Sequence, residues 1–509
     1  MDKEYDFVII GSGLGGLYCA ALLVKEGYSV CVLEKNRQLG GCLQIFSREK
    51  LIFDTGVHYL GGLDKGQNLY RYFDYLGLMD KIQFKKLDMD GYDRISFEDD
   101  PIVYKMPQGY DNFIQYYSDL FPDEKEGIIK LCDKIKEVCA KLPLYNVEET
   151  QDLDFMEFVM NDKPVDEVIA SCVNNKSLRR ILAGNNALYA GIQGVTPFYV
   201  HALVVNSYIE SSYKCVKGGA QISLALCKII RAHGGVIKNH AEVTKIETDD
   251  EKVTAVVLKE GLRVVGKQYI SSIHPSLTVD MLGDDCTLLR KAYKSRISTL
   301  KNSVSAFIVY VVLKNKTVPS FNHNKYHFQC NDVWDNETYT EAEWPKSVAI
   351  FTTPSKDPEY CDGLIIMTYM QFDEMKQWEK TFNTVSAEDT RDESYQEYKK
   401  QKAEKVLDLA AEVIPGLKEH MVSYYTSTPL TMRDYIGGKD GSLYGVMKDH
   451  RDPLKSLIPP KTRIPNLFLT GQNTVMHGVL GVVVGAVKTC NEIIGNDNYM
   501  IKKIKNATL

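Results

Sequence analysis

Tyr5-Asp6-Phe7-Val8-Ile9-Ile10 runs directly into Gly11-Ser12-Gly13-Leu14-Gly15-Gly16. An apolar stretch with helical spacing follows through Leu23, and then a second apolar run, Tyr28-Ser29-Val30-Cys31-Val32-Leu33, ends on Glu34. Strand, Gly-x-Gly-x-x-Gly, helix, strand, acid is the order of a dinucleotide-binding βαβ unit. Gly11 permits the tight turn out of the strand. Gly13 lets a pyrophosphate approach the backbone, and Gly16 lets the helix pack close to the sheet. The helix start, with Ser12, Leu14 and Gly15 around it, offers N–H groups and a positive dipole end to the diphosphate. Glu34 comes 18 residues after Gly16, near the spacing of about 20 at which an acid accepts hydrogen bonds from a ribose. Its charge disfavours a 2′-phosphate, and Lys35 beside it joins the candidate cofactor set. An ordinary strand-to-helix turn would leave Glu34 unexplained.

The chain has 509 residues, 44% hydrophobic and 25% charged, with net charge -6. That is enough for two or three domains and a large core, and it offers no basic face for nucleic acid. Twelve cysteines are scattered singly, several inside apolar runs, with no zinc-type Cys/His spacing. Reduced thiols and a cytoplasmic protein without a bound metal are expected. The acidic N-terminus enters the first strand almost at once, so no signal peptide is expected. Gly478 to Val487 is too short and too glycine-rich to span a bilayer. Peripheral membrane contact needs only an exposed apolar patch and stays open.

Along the chain, a second glycine-marked region covers Leu39-Gly40-Gly41-Cys42 and Phe53-Asp54-Thr55-Gly56-Val57-His58-Tyr59. Asn68 to Asn206 reads as mostly helical and charge-rich. A turn at Lys217-Gly218-Gly219 opens a helix, and short strands follow from Val236. Ser303–Leu313, Ser347–Thr353 and Leu364–Tyr369 are β-branched and aromatic, which points to an antiparallel sheet. The end returns to strand and glycine turn at Asn466–Asn473. Two domains, each discontinuous in sequence, are expected. The cofactor domain takes 1–85, 213–295 and 421–509, and the substrate domain takes 86–212, helix-rich, and 296–420, with sheet and helices. Ligands should bind where the two meet.

These motifs together resemble the flavoproteins of the phytoene desaturase, carotenoid isomerase and retinol saturase group over nearly the full length. Gly40–Cys42 with Phe53–Tyr59, and Asn466–Gln472 followed by Gly478, Gly481, Gly485 and Ala486, are most similar to the retinol saturase branch. The resemblance implies an α/β fold, with an FAD-binding Rossmann-like domain of the glutathione reductase type and a second, α+β substrate domain. It implies FAD, held without a covalent bond. Gly40, Gly41 and Cys42 would pass close to the cofactor, and Val243 would meet the adenine through its backbone. Gly471 and Gln472 would sit by the ribityl chain and pyrophosphate. A turn at Gly478, Val479, Leu480, Gly481 and Val482 would lie near the isoalloxazine. The chain departs from retinol saturases at Leu43 and Gln44, where they carry cysteine and histidine, and at Asn473, where they carry aspartate.

The activity implied is redox or isomerisation chemistry at carbon–carbon double bonds of an apolar polyene, retinoid or isoprenoid lipid. An external nicotinamide, quinone or redox protein would be the electron partner. Two alternatives remain at this point: a flavin amine or steroid oxidase on the same scaffold, and a non-catalytic FAD- or lipid-binding protein. His58 and Tyr59 are the candidate proton donors, each weighed against a packing role. His477 is a further candidate for the active site, and Arg433 and Tyr435 for the substrate-domain face. Cys42 is weighed as a reactive thiol against a small packed residue. Phe113–Phe121 and Phe155–Met160 are the candidate membrane contact, weighed against ordinary core.

Overall fold

Along the first strand, Tyr5–Ile10, side chains alternate between two cores. Phe7 and Ile9 enter one, and Val8 and Ile10 enter the other. A strand buried on both faces belongs inside a parallel sheet with both sides covered. The computed structural model, which describes residues 4–150, 159–330, 332–355, 357–384, 391–496 and 498–508, places it at the centre of five strands. Their order is Val236–Lys238, Val30–Leu33, Tyr5–Ile10, Gly266–Ser271 and Leu467–Leu469. All four pairings are parallel. Helices Leu14–Lys25, Ala220–Ala232 and Gly478–Ile494 cover one face. Every residue from Leu14 to Val24 is buried, because this helix lies between the sheet and its two neighbours. A small antiparallel sheet, Val243–Thr248, Val253–Leu258 and Arg263–Val264, covers the other face. The run from Arg263 to Ser271 is thus split between two sheets. Arg263–Val264 completes the hairpin, and Gly266–Ser271 crosses to the central sheet.

The second sheet has seven strands, in the order Met421–Ser427, Ser305–Leu313, Gly363–Met370, Ser347–Thr352, Asn324–Phe328, Asp93–Phe97 and Asp100–Met106. Only Asn324–Phe328 with Asp93–Phe97 is a parallel pair. Ser305–Leu313 is buried at every position. Phe307, Val309, Val311 and Leu313 pack under the helix Glu393–Val413, while Ala306, Ile308, Tyr310 and Val312 turn to the core shared with the first sheet's helices.

Three features correct the reading of the sequence. The segment read as mostly helical contains strands Phe84–Lys86, Asp93–Phe97 and Asp100–Met106. Asp93, Ile95 and Phe97 alternate inward as a strand requires, but an acid at a buried-face position hides that pattern. Met421–Ser427, placed by the boundary at 420 in the cofactor domain, hydrogen-bonds to Ser305–Leu313 in the second sheet. The three-stranded sheet of Leu60–Gly61, Ser212–Cys215 and Phe84–Lys86 straddles the boundaries at 85 and 212.

Helix Tyr110–Leu120 packs on Lys125–Ala140 and Phe198–Glu210. Phe113 and Tyr117 are therefore core, and within Phe113–Phe121 Leu120 is the large apolar side chain left exposed. Of the other membrane candidate, 155–158 lie outside the described residues, and Met160 is exposed. Among the described residues, no helix is long and apolar enough to cross a membrane.

Candidate active site

The first strand delivers the chain to Gly11, whose φ of +92° a side-chain-bearing residue rarely adopts. A Cβ at Gly16 would lie 2.3 Å from the Gly11 carbonyl oxygen, so the helix start closes on the strand end only with glycine there. Gly15 is confined by the far end of the chain: its Cβ would fall 2.8 Å from Gly471 Cα. Gly13 differs. Only Ser272 Oγ, at 3.8 Å, stands near the place of its Cβ, and as N-cap Gly13 brings no side chain to the helix it opens. The second glycine turn leans on the first. Gly40 N–H donates to the Ser12 carbonyl at 3.0 Å, and a Cβ on Gly41 would lie 3.1 Å from Gly13 Cα.

Glu34 ends the second strand as a buried acid. One carboxylate oxygen accepts from Ser12 N–H at 2.9 Å and Ser12 Oγ–H at 2.7 Å. The other accepts from Asn36 N–H at 2.9 Å. A carboxylate has roughly four lone-pair sites, so one acceptor position remains for a ligand. Lys35, whose ammonium burial pushes down, donates to the Asp434 carbonyl at 3.0 Å, and Asn36 Nδ2 donates to the Tyr435 carbonyl at 2.7 Å.

These elements open into a cavity of about 860 Å³. Glu34, Lys35, Glu242, Val243 and Arg433 line one end. Gly11, Gly13, Leu14, Gly15, Gly40, Gly41, Cys42, Gly471 and Gln472 line its middle. The far end is aromatic: Tyr59, Tyr208, Tyr326, Phe351 and Tyr444, with His58, Met367 and His477. A second helix also begins there. Gly478 has φ +74°, a Cβ on it would touch nothing, and no side chain caps the helix Gly478–Ile494. The expected turn over Gly478–Val482 is this helix's first turn, so a second set of unpaired N–H groups faces the cavity.

His58 stacks on Phe351, ring centres 4.2 Å apart, and burial lowers its pKa to about 4. His477 is lowered to about 4, first by burial and then by Lys448. Both imidazoles are neutral near pH 7, and His58 Nδ1 and His477 Nε2 are buried without a hydrogen-bond partner. Burial pushes the Cys42 thiol up to about 11, so little thiolate forms near neutral pH. Tyr59 Oη donates to Asp93 Oδ2 at 2.9 Å and shares a hydrogen bond with Tyr326 Oη at 2.8 Å. Asp93 Oδ1 accepts from Asn324 Nδ2 at 2.8 Å. Burial raises the Asp93 carboxyl to about 7, against the lowering effect of Asn324 and Tyr59.

The structure thus brings nearly all the sequence candidates to one cavity. Ser12 and Gly16 stand behind its wall, with Ser12 bonded to Glu34 and Gly16 N–H bonded to Ser272 Oγ at 2.9 Å. Helix Pro429–Ile436 sets Arg433 against the substrate domain, its guanidinium donating to the Glu379 and Thr381 carbonyls, while the Tyr435 carbonyl accepts from Asn36 Nδ2. Asn473 Oδ1 accepts Val446 N–H at 2.9 Å, a structural bond. Sequence reasoning missed Asp93, Tyr208, Asn324, Tyr326, Phe351 and Tyr444. The one available signal was Asn324 with Tyr326, two apart in a strand and so on one face.

A parallel sheet with a glycine turn, an acid on its second strand and a cavity shared with a second sheet define a dinucleotide-dependent oxidoreductase fold. The chain belongs to the family of flavin-containing amine oxidoreductases, whose model matches residues 14–494. It is 26% identical to all-trans-retinol 13,14-reductase from Danio rerio, over 99% of this chain and 88% of that protein. It is 25% identical to prolycopene isomerase 2, chloroplastic, from an Oncidium hybrid cultivar, over 96% of this chain and 84% of that one. An oxidoreductase from Methanosarcina mazei shares its fold, with a TM-score of 0.65 at 16% identity, covering 96% of this chain and 100% of that one. The cofactor is FAD, and the residues present fit it. Two helix starts whose N-cap residues donate no capping side chain, an acid with a spare acceptor site and two orphaned imidazole nitrogens all belong to one cavity.

Proposed function

We propose that this chain is an FAD-dependent oxidoreductase acting on carbon–carbon double bonds of an apolar polyene, retinoid or isoprenoid lipid. One observation carries the reading: the chamber beyond the glycine turns is lined by aromatic side chains and neutral imidazoles, with no carboxylate among them. The carboxylates lining the cavity, Glu34, Glu242, Glu379 and Asp440, accompany Lys35, Arg433 and Lys439 at the other end. Asp93, behind the aromatic wall, is raised to about 7, and both imidazoles are neutral. An ammonium substrate would find ring faces but no carboxylate there, so the amine-oxidase alternative is decided by the experiment below. The relatives named for a retinol reductase and a prolycopene isomerase support the same substrate class.

In this reading Gly11, Gly13, Leu14 and Gly15 hold the diphosphate, Glu34 the ribose, and Val243 the adenine. Gly40–Cys42, Gly471 and Gln472 border the ribityl chain, and the helix start at Gly478–Val482 meets the ring with its positive end. Bound FAD supplies hydride exchange with the substrate. The protein supplies position, exclusion of water by the aromatic wall, and a proton. Its electron partner is external, a nicotinamide, quinone or redox protein. A nearly insoluble substrate must come from a membrane or a carrier, so peripheral membrane contact belongs to the proposal. Co-sedimentation with neutral and anionic vesicles tests that part.

The deciding experiment is anaerobic. Reduced holoenzyme is mixed with polyenes and enones, and oxidised holoenzyme with amines, while the redox state of the flavin and the product geometry are followed. A polyene should reoxidise the flavin or emerge isomerised, and amines should leave the oxidised enzyme unchanged. Reduction of the oxidised enzyme by an amine, with no response to any polyene, would sink the reading.

A further inference from the structure

Tyr59 and Tyr326 come from different parts of the fold and meet hydroxyl to hydroxyl on the wall of the aromatic chamber. Tyr59 sits at the end of the loop before Leu60–Gly61. Tyr326 sits mid-strand in Asn324–Phe328, two residues after Asn324 and on the same face. Asp93 is the register partner of Asn324 in the neighbouring parallel strand. It is fully buried, and its two oxygens are engaged separately, Oδ1 by Asn324 Nδ2 and Oδ2 by Tyr59 Oη. Asn324 can only donate through that nitrogen, so a proton on Asp93 must reside on Oδ2, facing Tyr59.

That geometry gives the chain of hydrogen bonds two directions. With Asp93 ionised, Tyr59 donates to Asp93 and Tyr326 donates to Tyr59, so both phenolic protons point away from the chamber. With Asp93 protonated, Asp93 donates to Tyr59 and Tyr59 donates to Tyr326. The Tyr326 O–H then has no acceptor within the network, and Tyr326 lines the cavity. We propose that Asp93, Tyr59 and Tyr326 form a proton relay in which Tyr326 is the catalytic acid for the substrate carbon, Tyr59 the carrier and Asp93 the reservoir.

The inference rests on the double-bond reading above. Hydride addition at one end of a conjugated system leaves an electron pair at another carbon. That pair takes the Tyr326 proton: the O–H bond breaks and a C–H bond forms. The Tyr326 oxygen takes the proton of Tyr59, Tyr59 takes that of Asp93, and Asp93 is left as carboxylate until solvent restores its proton. In desaturation every proton moves the opposite way. The hydride is that of the reduced flavin, recharged by the external donor.

The groups acting on Asp93 are uniform in kind. Tyr59, Tyr92, Tyr117, Tyr208 and Tyr326 surround it, with Asn324, and no lysine or arginine is among them. With no cation to fix the carboxylate and burial acting against it, Asp93 is raised to about 7. Both states are thus reachable near neutral pH, and proton delivery should fall as pH rises through about 7.

Two arms test the relay in the holoenzyme, using Asp93→Asn, Tyr326→Phe and Tyr59→Phe, with flavin content and melting temperature as folding checks. The first needs no substrate. The infrared difference between wild type and Asp93→Asn should show a protonated carboxyl band that fades with a midpoint near pH 7. Tyr59→Phe should move that midpoint. A carboxyl ionised throughout, or a midpoint indifferent to Tyr59, overturns the relay. The second arm follows anaerobic reoxidation of reduced enzyme by all-trans-retinol in deuterated water. Asp93→Asn and Tyr326→Phe should slow it by about 10²–10⁴, and wild type should place one solvent deuteron on the product. Wild-type rates with wild-type labelling in both variants overturn the relay. If no polyene or enone reoxidises the wild type, the substrate reading fails instead, and the infrared arm alone decides the relay.

Discussion

The two ends of the cavity are built on opposite principles. The end at Gly11–Gly16 and Glu34 is backbone: turns, helix starts and glycines whose missing Cβ atoms leave room or prevent collision. The end at Tyr59, Tyr326 and Phe351 is side chain, assembled from a loop and two strands more than 250 residues apart in sequence. A backbone site is fixed by local conformation, so it tolerates little change at a few positions. A side-chain site is fixed by packing, so its function can be removed while the frame persists.

The contrast is broken most directly at Gly16. Gly16→Val would place atoms where a Cβ already falls 2.3 Å from the Gly11 carbonyl oxygen. The purified variant should carry no flavin, by absorbance after denaturation, while a yellow variant of normal stability would show that the turn has slack. Phe351→Ala should cost about 3–5 kcal/mol of stability in denaturant unfolding, since it empties a buried ring site against His58. It should keep its flavin under native conditions. Loss of flavin in parallel would mean that the two ends are not separable.

Glu34→Gln should weaken FAD binding by about 1.5–3 kcal/mol, the worth of a charged hydrogen bond. Equilibrium dialysis of the apoprotein measures it, and unchanged affinity would free Glu34 from the ribose. Per pH unit, a smaller effect follows from Asp93. Its folded pKa, raised to about 7, lies above the unfolded value near 3.9. Below about pH 4 both states are protonated and nothing is lost. Between about 4 and 7 the unfolded chain ionises first, so stability falls by at most about 1.4 kcal/mol per pH unit, and above 7 the loss is constant. Asp93→Asn should flatten that slope, leaving the shares of Asp54, Asp162 and Glu337, raised to about 7, about 6 and about 8. Equal slopes in the two proteins would contradict a protonated Asp93. The smallest effect is expected at Cys42. Its thiol is pushed up to about 11, so Cys42→Ser should change the reoxidation rate less than about twofold, and a large loss would restore a thiol role.

What the sequence disclosed follows the same division. Gly11–Gly16 and Glu34 are contiguous or nearly so, and their chemistry is read from residue type and spacing. Ser305–Leu313 is legible because a strand buried on both faces needs nine apolar or small residues in a row. Asp93 was not legible. A lone acid in Tyr92-Asp93-Arg94 looks like solvated surface until the parallel register sets it opposite Asn324. Tyr326 was hidden for a related reason: its partner hydroxyl lies 267 positions away. His58 and Tyr59 were found as a pair, but only the structure separates them. His58 stacks against a ring with its Nδ1 unpaired, and Tyr59 enters a hydrogen-bonded chain.

The close approach of Gly15 to Gly471 has a consequence for synthesis. The first helix turn emerges from the ribosome early, whereas the turn that backs it, and the strand Leu467–Leu469 that closes its sheet, are made near the end. Until then Gly266–Ser271, beside the central strand, is an open edge of the sheet. Contacts of such long sequence separation form late and slowly. A cofactor that needs both turns meets its complete site only on a finished chain, and there it stabilises the folded state as any ligand of that state does.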